Sequence, residues 1–165
     1  RQQYGANFVA GIPANGFGLG DDFSLENSHV IPALIRKMHA AKIKSDRSVE
    51  IWGTGTPRRE FIFADDLADA CIFVMDKYDD QAPINIGGGT DLSIAELAQL
   101  VKQVVNYPGE LLFDASKPDG MMLKALDSAP LLAMGWQPQT DLTSALSATY
   151  DWFLLQEPQE TLSHV

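Results

Sequence analysis

Along the chain the spacing of apolar residues alternates between a helical and an extended period. In VIPALIRKMHAAK, Ile31, Leu34, Ile35 and Met38 recur three and four residues apart. This predicts a helix, and its start tolerates Pro32 because the missing N–H would have no partner there. Leu67, Ala70, Cys71 and Val74 form a second stripe, and Asp65 or Asp66 stands where a carboxylate can accept the free N–H groups of a first turn. A third helix opens on Ser93-Ile94-Ala95-Glu96, a capping box, and carries Leu97, Leu100, Val101 and Val104 on its inner face. From Leu142 onward, Ala145, Leu146, Thr149, Trp152 and Phe153 mark a closing amphipathic helix. Between the helices lie short runs that predict strands: residues 7–12, Val49 with Ile51 and Trp52, Phe61-Ile62-Phe63, Ile84-Asn85-Ile86, and residues 110–113. Residues 1–4, ending at Gly5, read as the last turn of a helix, and residues 158–165 as a flexible tail.

Glycine and proline punctuate these elements. Gly53-Thr54-Gly55-Thr56-Pro57 forms a turn, since its glycines allow positive φ and its proline lacks a donor. Lys117-Pro118-Asp119-Gly120 reads as another turn, with proline presetting one torsion. The run from Pro13 to Gly20, PANGFGLG, is either a flexible connection or a backbone that approaches a ligand closely. Gly87-Gly88-Gly89 ends a strand, but it lacks the one-three-six spacing of a dinucleotide fingerprint and does not itself head a helix.

Composition narrows the partner. A chain of 165 residues with 45% hydrophobic content can bury one core. Its net charge of −10 argues against nucleic acid and anionic membranes, so a charged ligand would need a local site. The single cysteine, Cys71, gives no disulfide framework; it fits a reducing, cytoplasmic compartment and reads as a packing residue. No signal peptide, bilayer-spanning run or metal site is expected. The chain opens at Arg1 without methionine, as a fragment, a processed chain or a partial reading frame would.

Three residues carry candidate chemistry. His29 stands at a helix start, where a lone histidine is a cap or surface residue or, with an imidazole pKa of about 6.5, an acid/base. Trp52 taken alone would be core. Arg59 would either pair with Glu60 or a nearby aspartate, or grip a phosphate with two parallel hydrogen bonds. Arg58 reads as solvent-facing and His39 as a surface residue.

The order WGTGTPRREFIFADDLADA, with SHVIPALIRKMH and FDASKPDG, resembles the extended short-chain dehydrogenases that act on nucleotide sugars. Within them the nearest resemblance is to the GDP-L-fucose synthases, NADPH-dependent epimerase-reductases acting on GDP-4-keto-6-deoxymannose. It runs to about Glu157 and matches the C-terminal half of the family's protein. NIGGGTDLSIAELA supports the wider superfamily. The resemblance implies an α/β fold: edge strands of a parallel Rossmann-like sheet plus a small α+β lobe, with residues 1–157 as the nucleotide-sugar binding domain. It implies His29 as the epimerisation acid/base beside the nicotinamide. It also implies Lys37, Trp52, Arg59, Asp119 and Lys124 as substrate-binding, and Pro13, Asn15 and His29 along the cofactor. A short helix and a glycine-tryptophan corner are implied near Leu131 to Trp136. Phe17, Leu19 and Met121-Met122-Leu123 depart from the family's pattern.

Six basic residues, Arg36, Lys37, Arg58, Arg59, Lys117 and Lys124, lie in or beside the three most family-like stretches, which suggests a local anion site for a GDP-sugar. The family's hydride chemistry uses NADP(H), a glycine-rich βα turn and a tyrosine with lysine four residues on. Tyr4, Tyr78, Tyr107 and Tyr150 all lack that lysine. The chain alone is therefore expected to bind no cofactor stably and to transfer no hydride. The alternatives are a free-standing binding domain that keeps the sugar-nucleotide site or its remnant without catalysis, an interaction protein that pairs with a second copy through an exposed apolar surface, and part of a UDP- or dTDP-hexose epimerase or dehydratase.

Overall fold

The computed structural model describes residues 3–24 and 27–156. Their elements are β1 (Gly11–Pro13), β2 (Asn15–Phe17), α1 (Val30–Lys44), β3 (Ser48–Trp52), β4 (Arg58–Phe63), α2 (Ala64–Lys77), β5 (Ile84–Ile86), β6 (Asp91–Ser93), α3 (Ile94–Val105), β7 (Glu110–Asp114), β8 (Leu123–Lys124), α4 (Ala129–Ala133) and α5 (Leu142–Gln156). The architecture is mixed α/β with mostly parallel pairing. β1 runs parallel to β5, β3 to β7, and β2 to β4. β4 joins the parts, because its two halves have different neighbours. Phe61, Ile62 and Phe63 pair with β2, whereas Arg58 and Arg59 pair with both antiparallel β6 and parallel β8.

Two apolar clusters form on these elements. In one, Leu34, Ile35 and Met38 of α1 meet Leu97, Val101 and Val105 of α3 and Leu146 and Phe153 of α5, over Val49 and Ile51 of β3. In the other, Ala70 and Val74 of α2 meet Ile84 and Ile86 of β5, with Ile62, Leu131 and Trp136. The Trp136 indole N–H donates to Asp69 at 2.9 Å, so the glycine-tryptophan corner is tied to α2. The capping box at α3 forms as its sequence predicts: the Ser93 hydroxyl accepts from the Glu96 N–H, and the Glu96 carboxylate accepts from the Ser93 N–H.

Several expectations are corrected. The strand placed at residues 7–12 is confined to Gly11–Pro13, because β5, lying between Pro83 and Gly87, offers only three residues to pair with. Part of the glycine-rich run is strand rather than loop: β4 supplies a ladder for Asn15–Phe17, and buried Phe17 packs on Phe63 with ring centroids 5.9 Å apart. Neither Asp65 nor Asp66 caps α2, whose N-cap Phe63 continues straight from β4. Asp66 is buried and instead accepts the N–H groups of Gln139 and Thr140, anchoring the approach to α5. Cys71 is exposed, since the face of α2 turned to the strands is made by Ala70 and Val74, with Leu67 and Phe73 packed beside them. It lines an open apolar groove with Val9, Pro13, Leu67 and Met75. His39 is half-buried between α1 and α5, with its Nδ1 2.9 Å from the Tyr150 hydroxyl. Arg1 and Gln2, of the helix turn expected at residues 1–4, and the tail expected at 158–165 lie outside the described residues.

Candidate functional site

A cleft of about 350 Å³ opens where β2, β4, β8 and the start of α1 converge. Asn15, His29, Trp52, Arg59, Asp119 and Lys124 all line it, so six residues drawn from separate stretches of sequence meet in one place. Phe17, Phe61, Ile31 and Pro32 supply its apolar walls. An apolar cleft with a few convergent polar groups is the ordinary form of a small-molecule site.

Each side chain has a physical reason for its position. Asn15 donates its amide to the Glu60 carbonyl at 2.6 Å, which fixes β2 against β4. His29 is the N-cap residue of α1, but its imidazole makes no capping hydrogen bond. Arg59 and Lys124 are register partners across the β4–β8 ladder, so their two cations leave adjacent backbones. The Arg59 guanidinium donates to the Arg58 carbonyl at 2.8 Å and forms neither of the expected carboxylate pairs. Trp52 is 62% exposed, which excludes the core role its isolated reading favoured. It ends β3 beneath two ammonium groups, Lys37 Nζ at 5.5 Å and Lys117 Nζ at 5.6 Å from the ring centroid.

Asp119 behaves differently from its neighbours. Its carboxylate accepts the Thr54 N–H at 2.6 Å and the Thr54 hydroxyl at 2.8 Å, locking the Lys117–Gly120 turn onto the turn after Trp52. A Cβ at Gly53 would collide with that carboxylate, and φ there is +86°, so glycine is required on both counts. Lys37 stands outside the cleft lining, with its Nζ 3.4 Å from the Glu50 carbonyl and its charge over Trp52. Pro13 does not reach the cleft; β1 turns it into the separate apolar groove beside Cys71.

Two residues beside Arg59 matter more than their spacing suggested. Arg58 is not free in solvent: it pairs with Asp91 through Nε and lies 3.4 Å from Glu96, tying β4 to β6 and α3. The hydrogen bond to Asp91 raises its pKa further, with the Asp91 and Glu96 charges adding to the effect and desolvation opposing it. Glu60, 1% exposed, accepts the Gly89 and Leu126 N–H groups, each at 2.9 Å. It therefore holds the glycine turn and the segment after Lys124 against the strand that carries Arg59. Its alternation with Arg59 along a strand was the one available sign that it points inward.

The same geometry bears on a dinucleotide. The Gly87–Gly89 turn is filled by the Glu60 carboxylate, so its Gly89 donor already faces an anion of the protein's own. Among the described residues no glycine-rich turn leads into a helix. Nor do three or more His, Cys, Asp or Glu side chains among them gather to hold a metal ion. No described helix is long and apolar enough to cross a membrane.

A model of the NAD dependent epimerase/dehydratase family matches residues 1–87, more than half of the chain. The chain belongs to the NAD dependent epimerase/dehydratase family. Within it, GDP-L-fucose synthase 1 of Arabidopsis thaliana is 49% identical over 154 residues, which are 93% of this chain and 48% of the Arabidopsis protein. A GDP-6-OMe-4-keto-L-xylo-heptose reductase from C. jejuni superposes with a TM-score of 0.85 at 35% identity, over 94% of this chain and 56% of that one. A GDP-L-fucose synthetase from Naegleria fowleri, solved bound to NADP, gives 0.83 at 32% identity, over 90% and 47%. This epimerase/dehydratase chain spans about half the length of the curated relatives it matches. Its parallel strand pairs are those of the family's Rossmann-like α/β fold.

Proposed function

We propose that this chain supplies the GDP-sugar side of a GDP-L-fucose synthase-like, NADPH-dependent epimerase-reductase. The observation that carries the reading is the convergence of Asn15, His29, Trp52, Arg59, Asp119 and Lys124 on one cleft. Arg59 grips a phosphate oxygen pair with its planar fork, while Lys124, its partner across the ladder, neutralises the same group. Trp52 offers an exposed aromatic face to the base or sugar, and the Asp119–Thr54 lock fixes the rim on that side. His29, whose imidazole makes no capping bond, takes and returns a proton at a sugar carbon beside a carbonyl, the step that epimerisation needs. NADP(H) supplies hydride chemistry when bound in the family. In this reading the hydride-transfer residues are not among these 165, since no tyrosine here has a lysine four residues on.

The test is calorimetric titration of the chain with GDP-mannose, with UDP-glucose as the control and Arg59→Ala alongside. Loss of one bidentate charged contact of about 1.5–3 kcal/mol corresponds to roughly ten- to a hundredfold in affinity. Selective GDP-sugar binding that falls by that factor in the variant, at an unchanged melting temperature, supports the reading. Equal affinity for both sugar nucleotides moves it to a UDP- or dTDP-hexose enzyme, and absence of binding at millimolar ligand refutes it.

A further inference from the structure

Glu60 does not line the cleft, yet the backbone of Asn15, Arg59 and Lys124, which do, is tied to it. Arg59 precedes it on β4, and the Asn15 amide donates to its carbonyl at 2.6 Å. Its carboxylate leaves the strand on the face opposite Arg59 and accepts the Leu126 N–H at 2.9 Å, two residues beyond Lys124. That tie matters because β8 buries little of its own. The strand is two residues long, and every residue from Met121 to Ala125 is exposed. Besides the ladder to Arg58 and Arg59, the segment is anchored by Glu60 at Leu126 and by Asn85, whose amide donates to the Asp127 carbonyl at 2.8 Å.

The carboxylate is itself placed from behind. Gly87 leaves the space that it and the Ser128 hydroxyl occupy, since a Cβ at Gly87 would overlap both. The Gly87 backbone is not in the left-handed region, so alanine there is opposed by this overlap rather than by backbone strain. Ser128 is 2% exposed and its hydroxyl has no hydrogen-bond partner among the described residues, so it fills space beside Glu60 without holding it. A small side chain outside the cleft thus decides where the carboxylate stands, and the carboxylate decides where the segment after Lys124 begins.

We infer that Glu60 is a positioning residue of the cleft: through Leu126 it sets where Lys124 stands relative to Arg59, and Gly87 sets Glu60. The inference rests on the sugar-nucleotide reading, in which Lys124 meets the ligand. GDP-mannose is titrated into wild type, Glu60→Gln, Gly87→Ala, Ser128→Ala and Lys124→Met, with UDP-glucose in parallel. Glu60→Gln and Gly87→Ala are also each combined with Lys124→Met, and every titration is run well below the melting transition followed by circular dichroism. Glu60→Gln and Gly87→Ala should each weaken GDP-mannose about fivefold, but less than about twofold once Lys124 is methionine, because a charge already removed cannot be misplaced. Ser128→Ala should bind as wild type does. Equal weakening in both backgrounds, or the same weakening in Ser128→Ala, means general loosening and overturns the inference, as does no weakening at all. The sugar-nucleotide reading survives those outcomes, since the wild type still binds. The Lys124-dependent pattern with UDP-glucose held as tightly as GDP-mannose supports the positioning role and moves only that reading. A wild type that binds neither ligand overturns both.

Discussion

Replacing Glu60 with glutamine tests what holds the cleft's two strands in register. The side chain keeps its shape, but only one of its terminal atoms still accepts. In the native protein the two carboxylate oxygens take the N–H groups of Gly89 and Leu126, each at 2.9 Å, in a site 1% exposed. After the change one N–H faces an amide N–H₂, which leaves a buried donor unsatisfied at about 1–3 kcal/mol. The surviving bond also loses its charge, about another 1 kcal/mol. Burying an amide instead of a carboxylate works the other way, because among the described residues no cation pairs with the carboxylate to offset its desolvation. The two N–H bonds should win, and subtracting the desolvation gain leaves a net loss of about 1–3 kcal/mol. In a domain of this size that lowers the melting temperature by about 2–12 °C, at roughly 2–4 °C per kcal/mol. Urea denaturation followed by circular dichroism measures the free energy directly. A Glu60→Gln variant as stable as wild type, or more stable, would refute the reasoning and show that desolvation outweighs the two bonds.

The α3 capping box should leave a pH signature. Hydrogen bonds from Ser93 hold the Glu96 pKa below its ordinary value, with Arg58 contributing less. A folded-state pKa that is lowered adds stability above the ordinary glutamate range and loses it as pH falls through the lowered value. Glu96→Gln should therefore be less stable than wild type at pH 7 and equal to it in strong acid, by urea midpoints at both; the same difference at both pH values would contradict this. Ser93→Ala should cost about 1 kcal/mol at neutral pH. Cys71, exposed on α2, should react with a thiol reagent in the native protein to one equivalent. Reaction only after denaturant is added would mean that something covers the apolar groove it lines.

Much of this molecule was legible from residue spacing. α1, α3 and α5 each carry an apolar stripe at helical period, and in α3 the capping box marks the first residue as well. The site was legible only through the family resemblance, and six of the eight residues it implied line the cleft. What the sequence could not carry is pairing. Whether Asn15–Phe17 is loop or strand depends on the edge that β4 offers, and β1 is short because β5 is short. Asp66 looked like a cap by position and serves a loop more than seventy residues away. Cys71 and Trp52 are apolar in composition, and burial is settled by what packs opposite, so both came out exposed. Sequence by itself determined the helices, the turns and the chemical types available, since these depend on neighbours within a few positions. Tertiary structure alone decided that Glu60 is the buried strut, that Asp119 locks a turn and that two lysines meet over one indole. Those contacts join residues from 15 to 66 positions apart, and only the folded chain brings them within hydrogen-bonding or cation–π range.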